Sequence, residues 1–302
     1  SAFDLHDSEE LGLIKYDFLT VSALDRIRQT MNYLLEDTVI YWQGDLKKTY
    51  DKYLAPKVLD YTTPEMWQLV SEGKINALFQ FDTIVGSQAI RKVQPTNLTE
   101  LAIANSVMRL MGDGELPLEI YARYKANIDE WYSEMAMAGI LQNEVQLLEK
   151  HLLKLSGVAD SQESLMMLVM DPAIANFSME EANFLRKTIA KKEFREIESL
   201  REMFYKKGFD AGSRRQLLDY VWNSQISRQL GYSFSSIHTT GYSLIALQEM
   251  NLAYHYPIIY WNCACLSADA SAINEEDFYN LMDEGIVEIS NEEDVRKSNK
   301  TD

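Results

Sequence analysis

The chain has 302 residues, 46% of them hydrophobic and 25% charged, enough to bury a full core in one large or two modest domains. A formal net charge of -17 argues against a protein that simply coats nucleic acid. No apolar run reaches the ~20 residues of a membrane span, and no stretch at the start reads as a secretory signal.

Taken in chain order, His6-Asp7-Ser-Glu-Glu10 has metal-ligand residue types without the spacing of a known site and reads as an acidic lead-in. Leu11-Gly-Leu-Ile-Lys-Tyr-Asp-Phe-Leu19 alternates between two faces, predicting a strand over 12–18 with Lys15 and Asp17 side by side on one face. On pattern alone that pair is an ordinary solvent-facing couple on an edge strand. Leu24, Ile27, Met31 and Leu34 then recur at helical spacing and predict a helix over 21–36. Thr63 before Pro64 predicts an N-cap with proline at the first helical position, and Gly73 a helix end. Residues 77–81 read as a short strand or a buried turn. A helix is predicted from 95 to about 111, a loop over 112–117, two helices over 118–155 and one over 162–170.

Ser178-Met-Glu-Glu181 is a capping box that opens a basic helix, predicted to break at Gly208–Gly212. Residues 186 to 215 carry ten Lys/Arg against five Asp/Glu, whereas the remainder holds 19 against 41. Leu185, Ile189, Ile197, Leu200 and Phe204 form its apolar stripe. Lys187, Lys191 and Arg195 point the opposite way, flanked by Arg186 and Lys192. One basic stripe on an acidic body suits a local anion site; a solvated face with i,i+4 ion pairs accounts for the same run. About forty residues on, Tyr232-Ser-Phe-Ser-Ser-Ile-His-Thr-Thr-Gly-Tyr-Ser-Leu244 gathers rings and short donors around His238. Rings beside cations suit a nucleoside triphosphate or a nucleic-acid strand. His238 alone fits a phosphate donor and a core histidine equally. A last long helix is predicted over 242–255, closed by Pro257, with an acidic tail after 274. Cys263 and Cys265, the only cysteines, lack the four ligands of a zinc site and read as free buried thiols in a reducing cytoplasm. His151 and His255 read as structural.

These segments, in this order, resemble the bacterial C-family replicative DNA polymerase, the DNA polymerase III alpha subunit. The resemblance is carried by 11–19, by Phe79-Gln-Phe-Asp82 with Gly86 behind it, and by Gln162-Glu163. It continues in Glu181-Ala-Asn-Phe-Leu-Arg-Lys-Thr-Ile-Ala-Lys-Lys192, in Tyr232-Ser-Phe-Ser-Ser-Ile-His238 through Tyr242, and in Tyr254-His-Tyr-Pro257. It covers roughly residues 9 to 265. Three departures stand out: Ser235-Ser236 replaces the family's Asn-Lys, Arg109-Leu-Met-Gly112 replaces Arg-Pro-Gly-Pro, and Ala190 replaces the Gly before Lys-Lys. They suggest a divergent, phage-type member.

The resemblance implies a mainly α fold, a multi-helical fingers domain over 37–275. A short palm strand-helix remnant over 1–36 would precede it, and an acidic tail over 276–302 would lead to a missing downstream region. It implies one Mg2+-binding carboxylate, Asp17, with Lys15 beside it and the other aspartates outside this chain. Arg186, Lys187, Lys191, Lys192, His238, Tyr242, Gln80 and Arg109 would line the nucleotide site. The implied partners are template-primer DNA, deoxynucleoside triphosphates and the remaining polymerase segments, and no membrane. The chain alone is expected not to polymerise. The rival is a catalytically silent helical interaction module that keeps the fold and is read by a protein partner; the acidic body and the missing cation at 236 favour it.

Overall fold

The computed structural model describes residues 10–12, 21–110, 114–191, 194–230 and 232–270. Among them the chain is helical, with no β-strand. The predicted strand over 12–18 lies outside the described residues except for Gly12, which sits in a turn at φ 71°.

Helix α1 (Ser22–Glu36) buries Ile27, Met31 and Leu34 as its spacing predicts, but Leu24 faces solvent and Ala23 takes its place inward. α2 (Leu46–Tyr53) is capped by Asp45, which accepts from Lys48 N. α3 (Pro64–Ser71) starts at Thr63 as predicted, yet the Thr63 hydroxyl does not cap it. That hydroxyl donates to Asp60 instead, and Asp60 also accepts from the Thr62 and Thr63 amides. After Gly73 (φ 68°) the chain runs through turns to α4 (Ile84–Val93), so 77–81 is a buried turn rather than a strand. α5 (Leu98–Val107) is capped by Asn97 and is buried on every side from Leu101 to Val107. It stops short of the predicted 111.

The stretch predicted as two helices over 118–155 forms three: α6 (Pro117–Ala126), α7 (Asp129–Met137) and α8 (Gln142–Leu152). Asn127 makes the extra break with an extended backbone and a side chain that accepts from Asp129 N. α9 (Gln162–Met170) follows, capped by Ser161. The capping box at 178 forms as read: Ser178 N donates to Glu181 Oε2 at 2.7 Å and Glu181 N to Ser178 Oγ at 3.2 Å. It opens α10 (Met179–Lys191), and α11 (Phe194–Asp210) continues the basic stretch. Leu185, Ile189, Leu200 and Phe204 are buried as the stripe required. Gly208 does not break α11; it lies within it, where a Cβ would run into the buried Leu218 side chain. The turn comes at Gly212, φ 87°.

After α12 (Arg215–Val221), α13 spans Ser236–His255, six residues more than predicted at its start. Pro257 ends it, but a further helix, α14 (Ile258–Ala270), begins immediately, carrying Cys263 half-buried and Cys265 buried, neither in a disulfide. Proline can both stop one helix and lead into the next, because its fixed φ and missing N–H suit a first turn. α13 is the central element. It packs along α5 and against α1 and α14, burying Ala246 through Ala253. One continuous core runs from Ile27 to Cys265. His151 bonds Asp171 and His255 bonds Asp60, the structural roles expected of them. Among the described residues no helix is long and apolar enough to cross a membrane.

Candidate nucleotide site

The segment that leads into α13 and its first two turns carry the aromatic residues. His238 and Tyr242, four residues apart, rise from one face of α13, and Phe234 lies in the non-helical stretch just before it. Phe234 and His238 stack with centroids 5.2 Å apart and planes within 5°; His238 and Tyr242 meet at 4.0 Å. Tyr232 stands edge-on to Phe234 at 4.8 Å. From the turn before α4, Phe79 closes the row against Tyr242 at 5.1 Å. His238 is exposed and Tyr242 half-buried, so the row is open to solvent rather than sealed in the core. The reading of His238 as a core histidine is thereby excluded.

Arg109, just past α5, lays its guanidinium 4.9 Å over the Phe234 ring and donates to the Gln80 side chain. Gln80 and Arg109 therefore belong to the same array. Two backbone features hold the Gln80 turn. Gln80 has φ 72° and Ala77 φ 53°, conformations that cost a non-glycine residue about 1 kcal/mol or more. Gly86 is needed behind it, because a Cβ there would lie 2.5 Å from Phe81 Cα and 2.7 Å from the Gln80 carbonyl oxygen.

α9 anchors the segment from below. Gln162 N donates to Phe234 O at 2.9 Å and Gln162 Nε2 to Ser233 O at 2.8 Å. Glu163 accepts from Ser235 Oγ and from Ser236 N, both at 2.7 Å. Burial alone would raise the Glu163 carboxyl; these donors outweigh it and hold it below its ordinary value. Ser235 and Ser236, where the sequence lacks the family's Asn-Lys, thus clamp α13 to α9, and a protein carboxylate caps α13.

α10 packs on α9 and brings Arg186 to the array. Arg186 Nη1 donates to Gln162 Oε1 at 3.4 Å, with Nε near Asn183 Oδ1. Lys187 is exposed beside it. The Lys191 side chain, Lys192, Lys15 and Asp17 lie outside the described residues. The structure therefore brings together Arg186, Gln80, Arg109, His238 and Tyr242, with Lys187 exposed on α10 next to Arg186. Among the described residues no three His, Cys, Asp or Glu side chains could hold a metal ion. Asp17, the one carboxylate that the resemblance implied for Mg2+, is not among them.

Phe79, Gln162 and Glu163 were legible as motif residues but not as parts of the site; only their packing reveals what they hold.

An open row of rings bordered by cations offers faces for stacking and charge for an anion. Residues 37–212 match the bacterial DNA polymerase III alpha subunit finger domain, and the chain belongs to that family. It is 49% identical over 276 residues, 91% of its length, to "Probable DNA polymerase YorL" of Bacillus subtilis (strain 168), and equally to a "DNA-directed DNA polymerase" of Bacillus phage SPbeta. To the DNA polymerase III subunit alpha of Thermotoga maritima it is 26% identical over 84% of its length. The chain spans only 21% of the first two relatives and 25% of the third.

Proposed function

We propose that this chain is the fingers segment of a DNA-directed DNA polymerase and that it receives the incoming deoxynucleoside triphosphate between the α13 ring row and the α10 cations. The observation that carries the reading is the Gln162 bridge, which bonds Arg186 on one side and the Ser233–Phe234 backbone on the other. Rings offer faces for a base or sugar, while Arg186 offers a planar fork for phosphate oxygens and Lys187 a point charge. Lys191 and Lys192, which follow in the sequence, would add further cations for the same phosphates. His238, exposed on α13, would donate to a phosphate oxygen, and Arg109 holds Gln80 and Phe234 in register. Cations placed where charge grows as pyrophosphate leaves favour the transition state more than the ground state.

Asp17, with Lys15 beside it, is the one carboxylate this chain would bring to Mg2+; the other ligands, the template-primer and the rest of the polymerase would come from outside it. The chain by itself should not extend a primer, and labelled extension by a preparation free of host polymerase would overturn that. Equilibrium dialysis of the chain with labelled dGTP tests the binding reading. We expect saturable, salt-sensitive binding, weakened at least about tenfold in the R186A/K187A double variant, since a hydrogen bond to a charged group contributes about 1.5–3 kcal/mol. No binding, or binding indifferent to both substitutions, would leave the silent interaction module as the better description.

A further inference from the structure

Beneath the ring row lies a carboxyl group that nothing above uses. Glu249 sits on α13 two turns past Tyr242, on the same helical face, and is fully buried. Its Oε2 accepts from the Phe79 amide at 2.6 Å, while Oε1 is buried with no hydrogen-bond partner. The turn it touches is the strained one: Ala77 and Gln80 are both left-handed without being glycine. Such backbone persists only where its surroundings over-determine it. Arg26 of α1 holds the same turn from the other side, donating to Ala77 O at 3.1 Å and pairing with Asp82 at 3.5 Å.

We infer that Glu249 is a positioning residue: its carboxyl pegs the Phe79 amide, fixing the 77–82 turn so that Phe79 packs on Tyr242 and Gln80 reaches Arg109. It touches no nucleotide and acts through those four side chains, so its effect on binding rests on the proposed function, whereas its effect on the turn does not. Burial pushes the carboxyl well above the ordinary range, against the Phe79 amide and Arg26, which favour ionisation, and with Asp82, which opposes it. A neutral carboxyl is mimicked by glutamine, which keeps a carbonyl acceptor for Phe79 and carries no charge. Leucine has similar bulk and no acceptor.

The test compares E249Q and E249L with the unaltered 302-residue chain by amide hydrogen exchange and dGTP dialysis. We expect exchange in peptides covering 77–83 to rise at least about tenfold in E249L, with other core peptides unchanged, because one buried hydrogen bond of about 1.4 kcal/mol corresponds to that factor. E249Q should exchange as the unaltered chain does, and dGTP affinity should fall in E249L and be retained in E249Q. Unchanged exchange over 77–83 in E249L overturns the peg. So does a uniform rise over the whole chain in both variants, which marks a purely structural role. If E249L does not fold, accelerated exchange over 77–83 in E249Q overturns it and preserved exchange supports it. If the unaltered chain fails to bind dGTP, the nucleotide reading fails, and the exchange comparison still decides the peg.

Discussion

Arg186 and Gln162 meet across two helices, guanidinium to amide oxygen at 3.4 Å, and Gln162 in turn holds the backbone of Ser233 and Phe234. One side chain thus couples the cationic helix to the ring row. Replacing Gln162 with Leu removes the side-chain bonds to Ser233 O and Arg186 while keeping the bulk. It should lower stability by about 1–2 kcal/mol, the cost of a lost part-buried hydrogen bond, and weaken dGTP binding severalfold. Urea denaturation and dialysis on the same preparation check both; a variant unchanged in each would mean that the bridge is incidental.

Tyr242 is the ring shared by His238 and Phe79. Stacking of a base on an aromatic residue is worth about 1–3 kcal/mol. Tyr242→Ala should therefore raise the dissociation constant for dGTP by roughly tenfold or more, while Tyr242→Phe, which preserves the ring, should bind nearly as the unaltered chain does. Equal losses in the two variants would point to the hydroxyl rather than the ring.

Gly86 is required by contact rather than by φ. An alanine Cβ would lie 2.5 Å from Phe81 Cα and cannot be relieved by a side-chain rotation. Gly86→Ala should destabilise the fold by about 1–3 kcal/mol, the range for overpacking, and move the Gln80 turn with it. Thermal unfolding measures the first effect, and a loss of dGTP affinity beyond that of a core variant of equal stability measures the second.

Asp171 gives the acid side of the stability profile. Burial opposes its ionisation, but hydrogen bonds from Lys150, the Ala173 amide and His151 outweigh it and bring the carboxyl down to about 2. A carboxyl depressed in the folded state stabilises fully above its unfolded value near 4 and loses that stabilisation as pH falls through about 2. Unfolding midpoints should therefore drop between pH 4 and 2. Asp171→Asn should be less stable at pH 7 and show a shallower fall over that window.

Most of the helices follow from signals between near neighbours in the chain. Periodic apolar residues in α1, α10 and α11, the box at Ser178 and the turn glycines at 73 and 212 act within one or two turns, so their effect is local and can be read without a partner. The sequence also displayed the cations of α10 and the rings around His238, because both are runs of neighbouring residues. Local signals failed where a single residue decides between outcomes. Asn127 divides a stretch that looks continuous, Pro257 starts a helix as readily as it stops one, and Thr63 gives its hydroxyl to Asp60 rather than to its own helix. Only the tertiary structure could bring Phe79 to Tyr242, Arg186 to Gln162 and Glu249 beneath Phe79, contacts between residues 163, 24 and 170 positions apart. Those contacts depend on how α13 is packed along α5 and α10 against α9, and helix packing is set by whole surfaces rather than by any stretch of chain.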